Sequence, residues 1–199
     1  MADVTIEALT QAGMRVARGE STPETEGRRS TLAELAAGLR LTRGRLQAIV
    51  DGWSQEQLLA RPRAAENGTA AEGEDRWSAT EAISHLIVTE NWYLLHMGRL
   101  VGRRERFETM PRGLGDQARQ DVPKAELSAS LAAATRAMLD AIAALPPDAD
   151  LEAVRDSTFF GDLSLRGWVM LAIIHDLDHL RQIGRVAAER GFPLDAVIQ

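Results

Sequence analysis

Apolar positions recur along this chain with a helical spacing of three and four residues, and capping signals mark where the runs begin. The first run (Val4, Ile6, Leu9, Met14, Val16) predicts a short amphipathic helix within residues 1–20, followed by a polar loop over 19–30. Thr31 and Glu34 form a capping box ahead of Leu32, Leu35, Leu39, Leu46 and Ile49, with a break at Asp51-Gly52. Ser54 and Gln57 repeat the signal for a short helix ending near Pro62. The small polar stretch 63–76 reads as a surface loop. Ser78 and Glu81 then open a long helix with the stripe Ile83, Leu86, Ile87, Leu94, Met97 and Val101, ended by Gly102 and the arginines around it.

After an irregular segment 103–121, Pro123 takes the place of a first helical residue. The alanine-rich helix behind it carries Leu127, Leu131, Met138 and Ile142 and stops at Pro146-Pro147. A second irregular stretch, STFFGDLSLRG, precedes a last helix from about Trp168 to Arg190, closed by Gly191 and Pro193. Four substantial helices with short additional ones, and no βαβ alternation, predict an all-α four-helix bundle. A length of 199 residues suits one domain, with a core bundle over about 30–190 and an N-terminal extension over about 1–29.

Composition narrows the chemistry. There is no cysteine, which removes disulfides, thiolate ligands and cysteine nucleophiles, and leaves His, Asp, Glu or backbone oxygen for any metal. The net charge of -6 argues against nucleic-acid binding. No basic region precedes an apolar core at the N-terminus, and no apolar run approaches a membrane span. A cytoplasmic protein without nucleic-acid or membrane partners is therefore expected.

The chain has four histidines. His175 and His179 lie one turn apart on the last helix, on the side shared by Trp168, Leu171, Ala172 and Val186, which should face inward. Two buried histidines repel when both are charged, and a shared ion removes that conflict because both bind as neutral ligands. A third ligand must come from His85 or His96. These share a helix face but stand ~16 Å apart, so one ion cannot take both, and geometry alone does not choose. Three histidines with an open position describe a catalytic or exchangeable site for Zn, Ni, Co, Fe(II) or Mn. Gln182, Asp176 and Asp178 are candidates to orient the ligands, the aspartates alternatively pairing with Arg181 and Arg185. Glu90 lies on the core stripe and needs a partner, for which a structural ion pair is preferred over a general base. The arginines at 99, 103, 104 and 106 read as a solvated face or, less simply, an anion-recognition edge. The order H-x-x-D-H approximates an inverted zinc-protease motif, but its acid is one methylene short, the only glutamate in the 20 residues that remain for a third ligand is Glu189, and H-E-x-x-H is absent, so a protease of that type is rejected.

RWSATEAISHL at 76–86 with HDLDHLRQIGRV at 175–186 resembles the DinB-like superfamily, also called the YfiT-like metal-dependent hydrolases. VDGWSQEQLLARP at 50–62 is similar to the family's stretch before the second helix, and the resemblance covers about 30–190. It implies a four-helix bundle, commonly dimeric, with His85, His175 and His179 as the ligands of one divalent ion, zinc or nickel first. Gln182 and Asp178 would then orient those ligands. It further implies a transferase or isomerase that uses a small thiol such as mycothiol or bacillithiol on a small-molecule substrate. The alternatives are hydrolysis by metal-bound hydroxide, and a non-catalytic, stress-induced dimeric bundle whose metal staples the helices.

Overall fold

The computed structural model describes residues 4–63, 74–101, 119–157 and 159–193. It is an all-α bundle with a small hairpin: α1 (Ile6–Ala17), α2 (Pro23–Arg28), α3 (Leu32–Gly52), α4 (Gln55–Leu59), a 3-10 turn (Glu74–Arg76), α5 (Ala79–Leu100), α6 (Lys124–Ala143), β1 (Val154–Asp156), β2 (Asp162–Ser164) and α7 (Leu165–Arg190). The three predicted capping boxes are all formed, at Thr31/Glu34, Ser54/Gln57 and Ser78/Glu81. Each satisfies two backbone N–H groups that a helix start otherwise leaves without partners.

The four long helices form the bundle. α3 packs on α6 and α7, and α5 packs on the same two, so α3 and α5 face each other across the diagonal. Side-chain registers give the directions. Thr42 meets Asp176 and Trp53 meets Pro193, so α3 and α7 run parallel. Gln47 and the Asp51 carbonyl meet Ser128 and Lys124, so α3 and α6 are antiparallel. His85 lies against His179 and His96 against Trp168, so α5 and α7 are antiparallel. The order is therefore up-down-down-up, and α5 and α6 are parallel neighbours.

The core has two apolar clusters. One gathers Leu35, Leu39, Leu94, Met97, Met138, Trp168 and Ile173. The other gathers Leu46, Ile49, Trp53, Ile83, Leu86, Leu131 and Ile183. Between them, one helical turn from each, lies a polar layer: Arg43 Nη1 contacts Glu90 Oε2 at 2.8 Å, and Asp176 Oδ2 accepts from Arg43 Nε at 2.8 Å and from Thr42 Oγ1 at 2.7 Å. Arg43, Glu90 and Asp176 are each at most 2% exposed. Two carboxylates share one guanidinium here. Burial pushes Glu90 up to about 7 against the pull of Arg43, and burial also raises Asp176.

Three local expectations are corrected. The polar loop 19–30 contains α2, which Thr22 caps by accepting from the Thr25 N–H at 3.1 Å, with Pro23 as its first residue. Pro123 is the cap of α6 and not its first residue. The break expected at Asp51-Gly52 is where α3 ends, so that expectation holds. The stretch before the last helix holds an antiparallel hairpin, with Arg155 opposite Leu163, and α7 starts at Leu165 because Ser164 caps it. Helix α5 ends at Leu100, while the expected terminators (Gly102 and the arginines at 103, 104 and 106) and most of the 63–76 loop lie outside the described residues.

Candidate metal centre

Burial and spacing put two histidines of α7 and one of α5 together. His85, His175 and His179 each offer a ring nitrogen, and these nitrogens lie within 4.8 Å of one another. Helix α5 carries His85 on its second turn, where the antiparallel register with α7 sets it opposite His179. His175 Nε2 and His179 Nε2 are 3.1 Å apart. His179 is 1% exposed, and the other two are half-buried.

His96 is elsewhere. It stacks on Trp168 with ring centroids 4.5 Å apart and meets the edge of Trp92 at 4.7 Å. The structure thus chooses His85 on geometry, where the sequence pattern alone left both open.

Hydrogen bonds around the group set which nitrogens hold protons. The Gln182 side-chain N–H donates to the Glu74 carbonyl, so the amide oxygen faces His179 and accepts from its Nδ1–H at 2.8 Å. An amide oxygen only accepts, so His179 Nε2 is left with its lone pair turned to the other rings. Thr89 has one hydroxyl proton, which it donates to the His85 carbonyl at 2.8 Å. Its 3.3 Å contact with His85 Nε2 therefore has Nε2–H as donor, and His85 Nδ1, buried and without a hydrogen-bond partner among the described residues, is the lone-pair nitrogen. Tyr93 Oη lies 3.1 Å from His175 Nδ1. Trp77 covers the group, its ring 4.9 Å from that of His85 and stacked at 5.9 Å on that of His179. The Glu74 carbonyl, which also accepts from the Trp77 N–H, ties this cover to α7.

Burial favours the neutral rings of His85 and His175. Burial, and then the neighbouring His179, bring His85 down to about 4. Burial holds His175 well below the ordinary range, helped by His179, His85 and Arg43. Neutral imidazole is the metal-binding form, and a buried lone pair without a partner is a free donor. The donor set therefore fits a divalent ion with nitrogen preference, and these three histidines could hold one.

The two flanking aspartates part company. Asp176 faces the core and belongs to the Arg43 layer. Asp178 points outward, with its side chain 55% exposed, and pairs with Arg181 at 2.6 Å. The structure does not bring Asp178 to the histidines, whereas Gln182 touches one of them directly. Glu90 is in the ion pair with Arg43 that its core position called for. Sequence reasoning missed Tyr93, Thr89, Trp77 and Arg43. Thr89 had a readable signal, four residues after His85; Tyr93 and Arg43 sit among core positions and give none.

An up-down-down-up helical bundle with a three-histidine group shared by its second and fourth long helices defines a class of candidate metalloproteins. A model of the DinB superfamily matches residues 38–183, most of the chain, and the protein belongs to that superfamily. No curated protein matches the sequence.

Proposed function

We propose that this protein is a metal-dependent enzyme that uses a small thiol, an S-transferase or isomerase, with His85, His175 and His179 holding one divalent ion, zinc or nickel first. The observation that carries this reading is the donor set: three histidine ring nitrogens on two packed helices, with no fourth metal-type ligand joining them among the described residues. Three ligands leave an open position, as catalytic sites do and closed structural sites do not. An ion there supplies Lewis acidity, lowering the pKa of a thiol or water that takes the open position.

The chain contributes the rest. Gln182 and Tyr93 orient two of the imidazoles, and Trp77 shields them from water on one side. A thiol must arrive with a cofactor, because the chain has no cysteine. Hydrolysis is the weaker reading because it needs a general base. No carboxylate joins the histidines among the described residues: Asp176 and Glu90 are held by Arg43, and Asp178 by Arg181. The same proposal has a homodimer acting on a small molecule in the cytoplasm, with no nucleic acid. Its net charge of -6 and the lack, among the described residues, of a helix long and apolar enough to cross a membrane support that setting.

The test is turnover of a chromogenic electrophile such as 1-chloro-2,4-dinitrobenzene by zinc- or nickel-loaded protein, with and without cysteine or glutathione. The proposal expects turnover that needs both ion and thiol and disappears in His175→Ala. Ion-dependent turnover of ester substrates without thiol would establish the hydrolase instead. Inactivity throughout, in a folded and loaded protein, would leave the ion as a staple.

A further inference from the structure

Among the described residues, helix α3 brings no ligand to the three histidines, yet it holds both helices that do. Arg43 Nε and Thr42 Oγ1 both donate to Asp176 Oδ2, at 2.8 and 2.7 Å, and Asp176 is the residue after His175 on α7. The other end of the same guanidinium, Nη1, contacts Glu90 Oε2 of α5 at 2.8 Å. Glu90 follows His85 by five residues, a rise of roughly 7.5 Å along the helix axis. Thr42, Arg43, Glu90 and Asp176 are each at most 2% exposed, so water does not compete for these contacts.

The position of Asp176 around its helix gives the contact its use. Successive residues of a helix stand about 100° apart around the axis. His175 therefore lies about 100° to one side of Asp176, and His179, three residues further on, lies about 60° to that same side. Holding Asp176 towards α3 thus aims both imidazoles at once, and the His85 ring of α5 lies where they point. The rest of the α7 core face has no such directional grip. Val169, Leu171, Ala172, Ile173, Leu180 and Ile183 are buried apolar groups, and apolar attraction is non-directional. A buried ion pair adds little stability over apolar residues of comparable size, and its best-attested use is to fix register.

We propose that Arg43 is a positioning residue for the metal centre: its guanidinium, bridging Asp176 of α7 and Glu90 of α5, sets the rotation of one ligand-bearing helix and its height against the other. Arg43 acts through the two helices and not as a ligand. The inference rests on the proposed reading of the three histidines as a metal site.

The experiment separates positioning from stability. In the full chain, Arg43→Met, Glu90→Met and Asp176→Val together replace the layer by apolar groups and leave no charge buried alone. Thr42 keeps its hydrogen bond to the Leu39 carbonyl at 3.2 Å. Zinc affinity is read by competition with a chromogenic chelator. Cobalt(II) in place of zinc gives a visible spectrum that reports ligand geometry. The triple variant is expected to unfold in urea no earlier than the wild type, yet to bind zinc about 10–100-fold more weakly, as loss of support around metal ligands does, with an altered cobalt spectrum. A layer that only stabilises the bundle would move neither metal readout in a folded variant. Arg43→Lys keeps the charge without the planar fork that spans two carboxylates, and is expected to lose zinc affinity in the same direction. Zinc affinity equal to the wild type in the folded triple variant would overturn the inference alone. Failure of the wild type to bind zinc would overturn the metal reading and this inference with it. If the triple variant does not fold, Arg43→Lys decides: weaker zinc binding supports the inference, and equal binding overturns it.

Discussion

Single residues at this site act through the proton they hold or take. Gln182 is the plainest case, because Glu74 fixes which end of its amide meets His179. Gln182→Leu removes the acceptor and leaves His179 Nδ1–H buried without a partner, so zinc affinity should fall about 10–100-fold with the fold intact; chelator competition and circular dichroism check both halves. Acid sensitivity follows from the histidines too. With folded values below the unfolded one, His85 and His175 bind fewer protons in the native state, so between about pH 4 and 6.5 stability of the ion-free protein rises with pH and is complete above that range. Glu90, raised to about 7, acts with the opposite sign above its ordinary value of 4.5, because there the native state binds the extra proton. Asp176, also raised by burial, acts with Glu90, while His96 is lowered like His85 and His175, so one histidine's share is read by difference. His85→Gln should raise the urea midpoint of ion-free protein at pH 5 relative to that at pH 7. An unchanged difference between the two pH values would contradict this. The histidine pair was legible because a four-residue spacing maps onto one helix face. Asp176 and Asp178 were not separable by sequence, since both flank that face; the partner that draws Asp176 inward, Arg43, lies 133 residues away.

The elements owe their ends to local chemistry and their places to close packing. The three capping boxes could be read in advance because each is a four-residue pattern with its own hydrogen bonds. Helix α2 could not, because six residues with little apolar content show no period. Tertiary contact holds it: a Cβ on Gly27 would stand 2.6 Å from the Arg166 carbonyl oxygen, and Glu24 accepts from the Ser164 N–H at 2.7 Å at the start of α7. Gly27→Ala must therefore push α2 off α7, at a cost of about 1–3 kcal/mol in urea unfolding. The polar layer is the costlier joint. Arg43→Ala leaves two buried carboxylates without a counter-charge and should destabilise by about 3–5 kcal/mol, an effect that solvent screening does not soften at 2% exposure. A change below 1 kcal/mol would show that the layer does not hold α3, α5 and α7 together.

At the scale of the whole molecule, helix number and class were open to sequence reading, but helix order was not. Periodicity tells which face of a helix is apolar and nothing about which helix covers it. That α3 and α5 are diagonal, and that α5 and α6 run parallel, comes from registers such as Asp51 with Lys124 and His96 with Trp168. This arrangement is what closes the histidine group, since it sets the second turn of α5 against the middle of α7. An ion bound there clamps two of the four bundle helices, so saturating zinc should raise the stability of the wild type by about 3 kcal/mol at a hundred times its Kd. The most direct measurement is the zinc or nickel content of untagged protein, by elemental analysis after reconstitution, beside His85→Ala, His96→Ala and a His175→Ala/His179→Ala double variant. The account predicts about one ion per chain in the wild type and in His96→Ala, and loss of the ion in the other two. No ion in the wild type, or equal loading in all four proteins, would contradict it.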